Sequence, residues 1–432
     1  MSTSRYPLPP VMWMYDPHLI AASPVAAPSV VSDRGCIAGG EPDRRPLVDL
    51  VAGARPNFMK LAPVVRALQQ HGALDFRIVH TGQHYDAALN DVFFAELGIP
   101  PPAVHLQVGS GTQGAQTARI LERYEAHLLA SPPAATVVFG DVNSTVGAAL
   151  AAVKLGIPVA HVEAGLRSFD RTMPEEINRV LTDAIADLLL VTEASGVANL
   201  RNEGITGQRV RLVGNVMIDT LLANVDQARR RDVARSLGLT RRKYAFVTLH
   251  RPGNVDDPQV LGRLFDTFLE LAREMPLVFP VHPRTRAAMI RAGLDVTAAG
   301  ERGIRWLDPQ PYLDNLSLVA DAAVVLTDSG GLQEETTALN VPCLTLRENT
   351  ERPVTVECGT SRLVGNDPGK IRGAWCALLD GGWPEARHIP LWDGHAAGRI
   401  AVELAWWLNG RCATGDSAEA PRRARGEQPC RA

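Results

Sequence analysis

The chain is short of cysteine. Six are spread over 432 residues, at positions 36, 343, 358, 376, 412 and 430, with no close pair of metal-ligand type. That spacing excludes a zinc knuckle and reads as thiols of a reducing compartment, with the cytoplasm as the expected location. No run of about 18 apolar residues occurs, which removes a membrane-spanning helix. Neither sign of charge dominates: 44 Lys and Arg stand against 47 Asp and Glu, for a net charge of −3. A nucleic-acid binder held by a broad basic surface is therefore excluded. The first 45 residues lack any sustained period, and Pro7, Pro9, Pro10, Pro17, Pro24 and Pro28 break each apolar stretch that a secretory signal would need. Residues 1–45 are expected to be a disordered extension, and residues 410–432, rich in Gly, Ser, Pro and Arg, a disordered tail.

What is present is enough apolar residue, 46% of the chain, for two cores, and a length that fits two domains. Strand-like and helix-like segments alternate from residue 47 onward, the pattern of parallel doubly wound α/β sheets. An N-terminal domain is expected over 46–215, a second over 216–385, and a C-terminal helix over 386–409 that crosses back to the first.

The stretch His161–Arg179, HVEAGLRSFDRTMPEEINR, carries the densest chemistry. Ile157–Ala160 reads as a short buried strand that delivers His161, Glu163 and Arg167 at its carboxyl end, where ligands bind in open α/β sheets. A helix opens at Pro174 and carries Glu175, Asn178 and Arg179. A purely structural account competes. Thr172 and Glu175 have capping-box spacing, and Glu175 and Arg179 have the spacing of a surface ion pair.

Other strands end in the same way. Leu47–Ala52 runs into Gly53-Ala54-Arg55-Pro56 and then a helix containing Lys60, an arrangement suited to an anion. Phe76–His80 ends in Thr81-Gly82-Gln83-His84, with Phe93 and Phe94 inward on the next helix. Ala135–Phe139 ends in Gly140-Asp141-Val142-Asn143, where Asp141, Asn143 or Ser144 could cap the helix 145–155. Leu188–Val191 and Val210–Val213 complete this half. In the second half, Tyr244–Leu249 ends in His250-Arg251-Pro252-Gly253-Asn254. Leu277–Val281 ends in His282-Pro283-Arg284, Ala322–Leu326 in Thr327-Asp328-Ser329-Gly330-Gly331, and Val341–Leu346 in Arg347 through Arg352. Ser329-Gly330-Gly331 before a helix is the best phosphate cradle of the chain, because glycine lets backbone amides approach an anion. Glu335 follows one turn into that helix, placed for a ribose.

From residue 47 to 408 the chain resembles the non-hydrolysing UDP-N-acetylglucosamine 2-epimerases. The resemblance rests on GARPNFMKLAPV, TGQHYD, FGDVNST, HVEAGLRSFDRTMPEEINR, LVGNVMIDTL, TLHRPGNVDD, PVHPRTR, DPQPYLDN, LTDSGGLQEE and NTERPVTVECGT. It implies two Rossmann-like domains of the glycosyltransferase-B type with the active site between them, no cofactor, no metal, a UDP-sugar substrate and a homodimer. It implies elimination of UDP to a 2-acetamidoglucal and re-addition on the other face, interconverting UDP-GlcNAc and UDP-ManNAc. On that resemblance Asp141, Glu163 and Glu175 are the acid/base carboxylates, and their grouping is expected to raise at least one pKa. His250 stabilises the leaving diphosphate. Arg55, Lys60 and Arg179 line the first half of the site. Ser329, Gly330 and Gly331 take phosphate, Glu335 takes ribose, and Gln310 and Arg352 fill the remaining nucleotide positions.

The chain departs from the family in places. Ala54 and Asn57 replace the Thr and Glu of the GTRPE form. Arg-Pro-Gly-Asn follows His250 in place of Arg-Arg-Glu-Asn. The methionine of the activator segment QHxxxM has no clean match, with Ala88 and Leu89 at that point. These changes leave room for a related sugar, such as a UDP-diacetamido uronic acid. A glycosyltransferase of the same plan is the rival class. It would share the nucleotide cradle but need an acceptor site in place of the carboxylates.

Overall fold

The computed structural model describes residues 45–83, 94, 96–294, 300 and 302–414; the N-terminal extension, most of the expected tail, and His84, Ala88, Leu89 and Phe93 lie outside the described residues. Among the described residues thirteen strands form two sheets, and every pairing is parallel. The first sheet comprises β1 (Leu47–Ala52), β2 (Asp75–His80), β3 (Val104–His105), β4 (Ala135–Phe139), β5 (Val159–Ala164), β6 (Leu188–Val191) and β7 (Val210–Leu212), in the order β3-β2-β1-β4-β5-β6-β7. The second comprises β8 (Ala245–Thr248), β9 (Leu277–Pro280), β10 (Ile304–Leu307), β11 (Val324–Thr327), β12 (Cys343–Thr345) and β13 (Ser361–Leu363), in the order β10-β9-β8-β11-β12-β13. In each sheet the strand order reverses beside the first strand. Those switch points, β1/β4 and β8/β11, are where crevices open in parallel sheets.

The helices that bear on the site are α1 (Arg55–His71), α2 (Gln113–Ala130), α3 (Asn143–Lys154), α4 (Pro174–Ile185), α5 (Ala194–Asn202) and α6 (Val216–Arg231) in the first part of the chain. They are followed by α7 (Pro258–Leu271), α8 (Tyr312–Ala320), α9 (Gly330–Ala338) and α10 (Ala396–Thr414). One apolar core joins α1, α6, α8 and α10 through Phe58, Leu61, Ile218, Leu221, Leu313, Leu316, Ile400 and Leu404. A second core lies under α7, where Leu261, Leu264, Phe265 and Phe268 meet Phe279 and Trp375.

Two expectations need correction. Strand β5 does not stop at Ala160 but runs to Ala164, through His161 and Glu163. Polarity there is compatible with a central strand because both side chains are buried against charged partners. The C-terminal helix begins at Ala396 and continues to Thr414, past residue 409 where a tail was expected. Its first amides are satisfied by Asp219 of α6, whose carboxylate accepts from Ala396 N at 3.1 Å and Ala397 N at 2.7 Å. Among the described residues no helix is long and apolar enough to cross a membrane.

Candidate active site

The site is built first by close backbone approach. A Cβ on Gly53 would stand 1.9 Å from Ser144 Oγ, so the β1–α1 turn tolerates only glycine against the start of α3. Asn57 then explains the departure from the GTRPE pattern. Its Oδ1 accepts from Gly53 N at 3.1 Å and Ala54 N at 3.2 Å, while its Nδ2 donates to Phe139 O at 2.9 Å. A glutamate could make the first contacts but could not donate to that carbonyl. Gly140, at φ +62°, lets Lys60 come within 2.6 Å of where a Cβ would be. Thr145 donates to Phe139 O at 2.7 Å, and none of Asp141, Asn143 and Ser144 caps α3, which begins at Asn143 with Val142 before it.

From these turns a single buried ion network extends across both sheets. Asp141 receives Arg179 Nε at 3.0 Å and Nη2 at 2.8 Å. Arg179 also pairs with Glu176 and lies 4.0 Å from Glu351. Glu351 binds Arg347 at 2.7 Å and Arg352 at 2.6 Å. Arg352 reaches Glu334 at 2.6 Å and Glu163 at 2.7 Å, and Glu163 also pairs with Lys60. Asn215 steadies Glu334, donating at 2.8 Å. Lys60 is therefore no solvated helix position. It is buried, and with Arg352 it flanks Glu163. Glu163 itself sits at φ +75°, at a register shift between β5 and β6. A non-glycine residue held there costs of the order of 1–3 kcal/mol, and such strain collects at functional sites.

Of the three carboxylates expected to act as acid and base, Asp141 is shifted downward. Burial pushes Asp141 up, but Arg179, Lys60 and Arg352 outweigh it and leave the carboxyl below its ordinary value. Glu351 behaves likewise, held low against burial by Arg352, Arg347 and Arg179. Of the groups that rise, Glu334 belongs to the network, where burial outweighs Arg352, and two more stand at its margin. Burial, with Glu334 and Glu163 nearby, pushes Glu193 up to about 8. Burial with Glu334 does the same for Glu335. Interleaved arginines decide which carboxyls fall, because each opposite charge within a few ångströms favours the ionised form.

On the opposite edge, His250 holds Asp328 through Nδ1 at 3.0 Å. Asp328 also accepts from the backbone N of His250 and Arg251 and from Asn254 Nδ2, so the imidazole is fixed while about a third of it faces solvent. Ser329 precedes α9, yet its hydroxyl makes no cap hydrogen bond. A Cβ on Gly330 would meet Arg352 Nη1 and Glu351 Oε1, both at 2.6 Å, so glycine here admits the network to the helix start. Gly331 follows it in the first turn.

Asp141, Glu163, Lys60, Arg179, Arg352 and Gly330 are thus brought together. Glu175 is apart from the network, half-exposed, 3.9 Å from Arg251 next to His250. Neither bland account of it holds. Thr172 turns its hydroxyl to Asp170, and Arg179 pairs with Glu176, one turn away, rather than with Glu175. Glu335 is buried on α9 beside Glu334. Gln310 is not brought to the network; its amide donates to Asp308 O at 2.8 Å. Arg55 opens α1, and its side chain lies outside the described residues. Glu176, Glu334, Glu351 and Arg347 are network members to which the sequence reading gave no role in the site, although Arg347 and Glu351 lie in the strand end it named. Their signal was adjacency, since each stands within five residues of a position that was named.

The family model for UDP-N-acetylglucosamine 2-epimerase matches residues 66–405. The chain is 39% identical over 366 residues to the UDP-N-acetylglucosamine 2-epimerase of Methanococcus maripaludis, covering 83% of this chain and 98% of that protein. It is 41% identical over 319 residues to the UDP-2,3-diacetamido-2,3-dideoxy-D-glucuronate 2-epimerase of Pseudomonas aeruginosa, covering 73% and 87%. The crystal structure of the Methanocaldococcus jannaschii UDP-GlcNAc 2-epimerase in complex with UDP-GlcNAc and UDP superposes with a TM-score of 0.77 at 39% identity, over 83% of this chain and 99% of that one. The two parallel sheets are accordingly the two Rossmann-like halves of a glycosyltransferase-B type fold, and the chain belongs to the UDP-N-acetylglucosamine 2-epimerase family.

Proposed function

We propose that the protein interconverts UDP-GlcNAc and UDP-ManNAc, using the network between the two sheets as its reaction centre. The observation that carries this reading is the meeting of Asp141 and Glu163 from one sheet with Arg352 and Glu351 from the other, at the glycine-opened start of α9. The UDP diphosphate binds at Ser329, Gly330 and Gly331, where the amino end of α9 favours an anion. Arg352 and His250 stand by to meet the charge that develops as the anomeric C–O bond breaks. The C2 proton passes to a carboxylate among Asp141, Glu163 and Glu175. Asp141 is ionised in the resting state and needs no prior deprotonation to accept it. UDP then adds back to the resulting 2-acetamidoglucal and a proton is delivered to the opposite face of C2. No electron is gained or lost over the cycle, so the scheme calls for no redox cofactor.

The outward side of α4 supports a homodimer. Ile177, Val180 and Leu181 are exposed there, with Phe169 exposed just before the helix, a concentration of apolar surface that a second copy would cover. Among the described residues the free thiols of Cys343, Cys358 and Cys376 support work in a reducing compartment such as the cytoplasm.

The test is incubation with UDP-GlcNAc in deuterated water. Solvent deuterium entering C2 of both epimers is the expected outcome; a sugar product that retains the C2 proton would refute the scheme. The Pseudomonas relative's name makes the diacetamido uronic acid the second reading. Run as a competing substrate, it displaces the first reading if its kcat/KM is the higher.

A further inference from the structure

His161 has none of the roles assigned above, yet it lies fully buried in β5, two residues before Glu163. Both ring nitrogens face oxygen. Nδ1 is 2.7 Å from Asp183 Oδ1, and Nε2 is 2.7 Å from Gly140 O. A backbone carbonyl only accepts, so Nε2 carries a hydrogen. Asp183 is ionised. Its second oxygen accepts from Arg167 Nη1 at 2.7 Å and Gly165 N at 3.0 Å. Burial pushes this carboxyl up, but His161 and Arg167 bring it below its ordinary value. An ionised carboxylate also only accepts, so Nδ1 carries a hydrogen too. The ring is an imidazolium sealed inside the sheet. With Arg167 and Glu203, which pair at 2.7 Å, the ring and Asp183 make a set of two positive and two negative groups. Such a charge persists in a core only when paired and fully hydrogen-bonded.

The peptide this imidazolium grips is the one that carries Asp141. Phe139 O is fixed by Asn57 and Thr145, and Asp141 O by Asn178 Nδ2 at 2.9 Å. Between them stands Gly140, at a left-handed φ, where the backbone has the least resistance to rotation. Its carbonyl is held by His161 alone among the described side chains. A charged donor makes that bond stronger than a neutral one would.

We infer that His161 is a positioning residue for the epimerisation: an imidazolium held by an acceptor at each ring nitrogen, which locks the Gly140–Asp141 peptide and so aims the Asp141 carboxylate. This rests on the reading of Asp141 as part of the reaction centre. It is tested in two ways on the full-length protein. First, NMR of the parent with isotope-labelled histidine at neutral pH reads the ring directly. Two nitrogen-bound hydrogens on a buried ring are expected; a singly protonated His161 overturns the inference. That readout does not depend on activity, so it stands even if UDP-GlcNAc proves not to be the substrate. Second, His161→Met removes both donors at similar volume, and His161→Gln restores a donor toward Gly140. For His161→Met, kcat should drop by about 100-fold, as expected for a misplaced catalytic group, with KM and UDP affinity unchanged. His161→Gln should recover most of the loss. A folded His161→Met with the parent's kcat, or a loss confined to KM, overturns the inference. Should His161→Met fail to fold, His161→Gln and the NMR result decide.

Discussion

Helices α4 and α7 have equally sharp apolar and polar sides, and the protein uses them in opposite senses. Helix α7 turns Leu261, Leu264, Phe265, Phe268 and Leu271 into the core under the second sheet. Helix α4 turns Glu176, Asn178, Arg179, Thr182 and Asp183 inward and leaves Ile177, Val180 and Leu181 outside. Amphipathicity alone says that a helix has two faces. Which face goes in depends on what waits there: for α7 an apolar sheet, for α4 a set of carbonyls and counter-charges. A helix turned this way holds its place by ion pairs and hydrogen bonds, and presents to solvent the kind of surface that other helices bury.

Replacing one inward residue on each helix sharpens the contrast most. Arg179→Met on α4 puts an apolar group on a buried face, which on α7 would be harmless. Here it strips Asp141, Glu176 and Glu351 of a shared cation. The expected cost is about 3–5 kcal/mol in urea unfolding, together with loss of measurable epimerisation. Phe268→Ala on α7 removes a ring stacked edge-on against Phe279. It should cost a comparable or slightly smaller amount, about 3–5 kcal/mol, with the kcat of the surviving folded fraction unchanged. Stability equal to the parent's for Arg179→Met would mean that the two helices are held in the same way after all. The outward face is probed by Ile177→Asp with Leu181→Asp. These changes should leave the unfolding midpoint of the monomer intact and shift the molecule from dimer to monomer in sedimentation; an unchanged dimer would remove this face from the interface.

A pH-dependent effect concerns a buried carboxyl beyond the network. Glu193 stands just before α5, with Oε1 accepting from Ser195 at 2.6 Å and Oε2 lacking a hydrogen-bond partner among the described residues. Its folded pKa is about 8 against 4.5 for the ordinary group. Between those values the folded chain keeps a proton that the unfolded chain has released. Its contribution is therefore fully present below about pH 4.5, declines as pH rises, and is gone above about pH 8. Glu193→Gln should raise the Tm relative to the parent, by an amount that grows from pH 5 to pH 8. A Tm difference constant with pH would mean that Glu193 is ionised in the fold.

Much of this architecture was readable from the chain. The strand at Leu47–Ala52, the buried run at 135–139 and the four residues 188–191 stand where apolar, β-branched segments between turn signals placed them. The edge strands β3, β10 and β13 were not readable. Two to four residues with only one neighbouring strand carry little pattern, and of the edge strands only β7, at Val210–Leu212, stood out. The end of β5 was misjudged for a different reason. His161 and Glu163 look like residues leaving a sheet, and the partners that keep them inside, Asp183, Lys60 and Arg352, are distant in sequence. The choice between Glu175 and Glu176 was similarly blind. Adjacent carboxylates differ by about 100° around a helix, and only the position of Ser168 and Phe169, whose amides donate to Glu176, decides which one is buried. Motif residues could be named from sequence; how they share counter-ions could not, because that is a property of two sheets brought face to face.

The bond between Arg352 and Glu163, at 2.7 Å, ties a loop after β12 to the carboxyl end of β5. It limits how the two halves can be exchanged. A chimera that grafts the second half of another family member onto this first half must bring a cation to the place of Arg352, or Glu163 keeps Lys60 as its only charged partner across a buried seam. Modular as the two sheets look, recombination between relatives is constrained at this pair, as it is where Arg179 approaches Glu351 and where Glu175 approaches Arg251.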